Sequence, residues 1–69
     1  MADHPGLRML GQRVTITERD HPWFGYSGVV DKAVWFKMAD PPEPMVEVHL
    51  DNGMGSAVGV RGLSLLGEP

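Results

Sequence analysis

The sequence predicts a small all-β domain of five short strands bent into a barrel, and three observations carry that prediction. Apolar and polar residues alternate with a period of two at 12–18 and again at 45–50, the pattern of strands with one buried face. Prolines, glycines and an Asp51-Asn52-Gly53 turn punctuate the chain at short intervals, leaving no room for a helix of normal length. The chain has 69 residues and no cysteine, so neither disulfides nor thiolate metal sites can staple it, and tight β packing or assembly must do so. Closing a short sheet on itself also protects its edges.

Composition narrows the function classes. At 42% hydrophobic residues the chain can build a globular core and is too apolar for plain disorder. No apolar run approaches the ~20 residues that span a bilayer, and the opening MADHPGLRML lacks the basic-then-apolar order of a secretory signal. A formal net charge of −3 gives no global basic field, which counts against non-specific nucleic-acid binding while leaving room for a local basic edge. The expected location is the cytoplasm, whose reducing conditions suit a chain without cysteine.

Residues 1–10 read as an N-terminal tail or lead-in, with Leu7, Met9 and Leu10 able to form one helical turn that plugs the domain. The first strand spans 12–18, where Val14 and Ile16 point inward and Arg13, Thr15 and Thr17 outward. Residues 18–27, ERDHPWFGYS, break the alternation; a hairpin loop of this length is uncommon unless it has a function or packs on itself. Gly28 opens the second strand and implies close approach of another backbone. Two registers compete along it, Val30-Lys32-Val34-Phe36 against Val29-Asp31-Ala33-Trp35, so a bulge is expected in the middle. Three prolines make 38–44 a stiff connection. In the third strand, 45–50, Val46, Val48 and Leu50 face the core, and Glu47 and His49 face water. The fourth covers 54–60, a short 3₁₀ turn is placed near 61–63, and a last strand covers 63–66, before a C-terminal tail at 67–69.

This order of features resembles the SH3-like barrel, and within it the KOW-type variant of ribosomal proteins and transcription elongation factors. The resembling residues are Gly11-Gln12-Arg13-Val14-Thr15-Ile16, the gap closing on Gly25, then Gly28-Val29-Val30, Val46-Glu47-Val48 and Gly53. They cover residues 11–66. The chain departs from that pattern in being acidic and in its longer Pro-rich connection. The opening is also similar to that of the type II dihydrofolate reductases, which assemble around one pore. The Val-Gln-Ile-Tyr run that lines their pore is Ala57-Val58-Gly59-Val60 here, so the ligand-holding glutamine and tyrosine are missing and that activity does not carry over.

The first long loop gathers His21, Trp23, Phe24 and Tyr26. They read as an aromatic shelf for a partner, or as rings folded inward to cap a tiny core. Trp23 and Tyr26, each with a polar handle, are expected outside, and Phe24 inside. Trp35 and Phe36 are strand neighbours and must point to opposite faces; one is expected in the core, with Trp35 outside. The candidate partner-binding set is therefore His21, Trp23, Tyr26 and Trp35. Arg13, Arg19, Lys32 and Lys37 lie on the first two strands and their loops, as a basic edge for RNA or as solvated charges that block strand aggregation. His4, His21 and His49 lack metal-ligand spacing, Ser27, Ser56 and Ser64 lack a nucleophile elbow, and no cofactor is expected. Met38, Met45 and Met54 beside a glycine-rich fourth strand mark a subunit contact or ordinary gap filling.

The expectation is thus a non-enzymatic binding module for a protein partner. An RNA-binding accessory factor of transcription or translation is the alternative, and an oligomeric pore enzyme a weaker one. A homo-oligomer is left open.

Overall fold

A computed structural model describes residues 3–66 of the chain; the C-terminal tail expected at 67–69 lies outside the described residues. The elements in order are a 3₁₀ turn (Leu7–Met9), β1 (Arg13–Ile16), β2 (Ser27–Phe36), β3 (Glu43–Leu50), β4 (Gly55–Gly59), a second 3₁₀ turn (Val60–Gly62) and β5 (Leu63–Leu65). All five strands form one antiparallel sheet in the order β4-β3-β2-β1-β5. The first four meander, and β5 returns to pair with β1. Among the described residues no helix is long and apolar enough to cross a membrane.

The alternation read from the sequence sets the inner face. Val14, Ile16, Val30, Val46, Val48, Leu50 and Val58 are each no more than 1% exposed and form the core together with Met9. Strands at both ends of the sheet supply it: Val58 comes from β4, and Leu63 and Leu65 of β5 pack against the cluster. The sheet therefore curls around a single core. Glu47 and His49 lie on the exposed face of β3.

Gly28 carries the close approach expected of it. A Cβ there would sit 2.7 Å from Leu50 Cα, nearer than van der Waals contact permits, so only glycine lets β3 lie this close. The expected bulge is also present. The β2–β3 register shifts between Val30 and Lys32, which leaves Asp31 as the extra residue. The shift changes which β2 residues face the core: Val30 stands opposite Val48, and beyond the bulge Ala33 stands opposite Val46. Both competing registers are used, one on each side of Asp31.

Several expectations need correction. The first strand is shorter than 12–18, because Thr17 and Glu18 already leave the ladder as the long loop begins. Glu43 and Pro44, assigned to the connection, belong to β3. Proline is tolerated there because β4 pairs with β3 only from Met45 onward, so no neighbour asks Pro44 for an N–H. The N-terminal segment is not a loose tail from His4 onward. His4 is buried; its Nδ1 accepts the Gly6 N–H at 2.9 Å and its Nε2 bonds Val34 O. Gly6 packs against Val46, whose Cγ1 lies 2.6 Å from where a Cβ on Gly6 would stand. Met9, in the 3₁₀ turn, enters the core, which is the plug the apolar spacing predicted.

Candidate functional site

The β1–β2 loop is held at its base by the ladder itself: Ile16 N–H donates to Tyr26 O and Gly25 N–H to Ile16 O, both at 2.9 Å. Gly25 adopts a φ of 87°, a left-handed conformation that a side chain would strain. Inside the loop, His21-Pro22-Trp23-Phe24 forms a turn closed by Phe24 N–H to His21 O at 3.0 Å. The His21 ring then uses both nitrogens. Nδ1 accepts the Trp23 N–H at 3.0 Å, so the proton resides on Nε2, which donates to Ala57 O at 3.2 Å with Ser56 Oγ at 3.3 Å. His21 therefore fastens the loop to β4, one of the two edge strands of the sheet.

The N-terminal segment repeats this device. His4-Pro5-Gly6-Leu7 closes through Leu7 N–H to His4 O at 3.1 Å, and the His4 ring likewise accepts an N–H two residues on while bonding a distant carbonyl. The two His-Pro dipeptides were in plain view in the sequence. Weighing the histidines only as metal ligands or partner contacts missed their shared role, in which proline sets the turn and imidazole bridges it to the sheet.

The aromatics separate differently from expectation. Trp23 packs against the core cluster, whereas Phe24, assigned to the core, is 51% exposed. The larger indole is the ring that packs on the core, and its neighbour in the turn is left to solvent. Tyr26 is 46% exposed and stands edge-on to Trp23, with ring centroids 5.1 Å apart. Tyr26 thus rests edge-on against Trp23, and the exposed Phe24 is tied through its backbone to His21 in the same loop.

Trp35 does not join this group. It lies near the far end of β2, beyond the bulge, opposite Pro44, with its ring edge-on to His4 at 4.6 Å. The expectation that one of Trp35 and Phe36 is core does not hold, since they are 41% and 45% exposed. The β2–β3 hairpin outruns both its neighbours at that end, so no third strand covers either ring. Trp35, Lys37, Pro41 and Pro42 line a shallow apolar groove of about 540 Å³. A more polar cleft of about 350 Å³ lies across the same prolines, with Glu18, Glu43 and Arg61 on its walls.

The four candidate basic residues are spread out. Arg13 forms an exposed ion pair with Asp51 at 2.7 Å, a second bond at 3.2 Å making the contact bidentate. It is the one ion pair among the described residues. The hydrogen bond from Arg13, more than its charge, lowers the Asp51 carboxyl below its ordinary value, and the Arg13 guanidinium is raised in return. Lys32 stands opposite Glu47, Arg19 lies in the β1–β2 loop and Lys37 beyond the end of β2. Among the described residues no group of three or more His, Asp or Glu gathers in a metal-binding arrangement.

No protein-family model, curated protein or solved structure matches this chain.

Proposed function

We propose that the chain is a non-enzymatic, SH3-like binding module that docks a protein partner through the aromatic end of its first loop. The observation that carries this reading is the half-exposed Tyr26 seated edge-on against Trp23, with the exposed Phe24 in the same loop and His21 fastening that loop to β4. Aromatic anchors on a rigid base lose little conformational entropy when a partner covers them, and such anchors dominate interface energies. The meander of four strands, the return of β5 to β1 and the 3₁₀ turn between β4 and β5 support the SH3-like assignment. Fold analogy of that kind bears on architecture rather than on the partner. Absence of cysteine suits a cytoplasmic setting.

The RNA-binding alternative draws less support, because Arg13 is already paired with Asp51 and Lys32 faces Glu47. The discriminating experiment is affinity capture from a cytoplasmic extract with and without nuclease, comparing the wild type with Tyr26→Ala. A partner that survives nuclease and is lost with Tyr26→Ala supports protein docking. Capture that depends on intact RNA and declines steeply with salt would replace that reading with the nucleic-acid one.

A further inference from the structure

The far half of β2 has a strand neighbour on one side only, its other contact being His4, which bonds Val34 O and stands edge-on to Trp35. β1 pairs with β2 over Ser27, Gly28 and Val29, and Val30 completes that ladder through Gln12 and Gly11. Past Asp31, residues Lys32 to Phe36 pair with β3 alone. Leu50 N–H is directed to Met54 O, on the β4 side. By the two-residue alternation of a strand, Val48, Val46 and Pro44 look the same way, whereas Met45 and Glu43 look toward β2. Their register partners Val34 and Phe36 are thereby engaged with β3, and Ala33 and Trp35 present N–H and C=O to the open side. Among the described residues no other hydrogen bond reaches the backbone of Ala33 or Trp35.

We propose that this open edge pairs with the same edge of a second copy of the chain, antiparallel, about a two-fold axis at Val34. Ala33 of each copy then exchanges both backbone hydrogen bonds with Trp35 of the other. Self-pairing about Val34 is the register in which the flanking charges match: the residue numbers of opposed positions sum to those of two Val34 residues, so Asp31 of each copy meets Lys37 of the other. Both are exposed, and among the described residues neither has an ion-pair partner. On the two faces of the joined sheet, Lys32 lies opposite Phe36, a cation beside an exposed ring, and the large Trp35 lies opposite the small Ala33. Shifting the axis by one residue either way loses the charge match. The pairing explains the exposure of Trp35 and Phe36 on both faces of one strand end, which a single copy leaves uncovered. It uses the opposite end of β2 from the Tyr26 shelf, so it stands apart from the docking reading.

Light scattering on the full chain across micromolar to millimolar concentration tests the pairing. The wild type is expected to rise toward twice the monomer mass. Lys37→Asp and Asp31→Lys, each placing like charges together twice, should hold the mass at that of the monomer, and the double variant should restore doubling. Ala33→Pro supplies a backbone check, because proline is tolerated on an open strand edge but cannot donate to a partner; it too should stay monomeric. Circular dichroism confirms that each variant remains folded. A wild type that stays monomeric at millimolar concentration overturns the proposal, as does a dimer indifferent to the single charge reversals.

Discussion

Single residues decide where this small chain can bend and approach itself. Gly28→Ala places a methyl group against the backbone of His49 and Leu50, which cannot move without parting β2 from β3. A destabilisation of about 1–3 kcal/mol is expected, read as a lower urea midpoint at unchanged slope. His21→Ala removes the bridge from loop to β4; its loss should cost about 1 kcal/mol and quicken hydrogen exchange at the Trp23 amide. For Asp51 the sign follows from its lowered carboxyl. A carboxyl that titrates lower folded than unfolded contributes stability at pH above its ordinary range, and that contribution disappears as pH falls through the folded value. The wild type and Asp51→Asn should therefore differ in stability at neutral pH and converge in acid, a comparison open to thermal melts across pH. Both partners are exposed, so added salt should shrink the difference.

Among the elements, the β1–β2 loop separates support from contact. Trp23→Ala is expected to cost about 2–3 kcal/mol in stability, below the range for a fully buried indole, and to show mainly as a lowered melting midpoint. Tyr26→Ala should leave the midpoint nearly unchanged and weaken partner binding by about 2 kcal/mol, measured by titration calorimetry once capture has supplied the partner. The strands themselves were legible in the sequence because their inward positions repeat every second residue, as Val46, Val48 and Leu50 do. The bulge was legible as two incomplete registers that meet at Asp31. Which of Trp23 and Phe24 turns inward was not, because adjacent aromatics in a loop have no periodicity. Their sides depend on the His-Pro turn and on which ring packs against the core cluster. The N-terminal plug was half legible: Met9 follows from apolar spacing, but the anchoring of His4 to Val34 depends on a contact between residues thirty positions apart.

At the scale of the whole molecule, two His-Pro turns are fastened to the sheet, each with a tryptophan beside its histidine, Trp23 in the first loop and Trp35 near the far end of β2. Tyr26 and Phe24 lie by one turn, and the uncovered half of β2 lies by the other. A partner at the first and a second copy along the second would occupy different surfaces, so titrating the partner should leave the doubling of mass intact. The site was less legible than the fold for the same reason throughout: burial patterns are local in sequence, whereas the grouping of Arg13 with Asp51, or of Trp35 with Pro41 and Pro42, is created by pairings between distant segments.

The core is built from Val, Ile, Leu and Met alone, with Trp23 packed against it beside His21, while the second tryptophan, Trp35, stands on the sheet beside His4. Intrinsic fluorescence of this protein therefore reports its two His-Pro turns and, through Trp23, the core surface next to the first of them. Replacing one indole by phenylalanine would leave a chain that emits from beside a single turn. Stopped-flow traces of the two versions would then time the opening of each turn separately, with no dye attached.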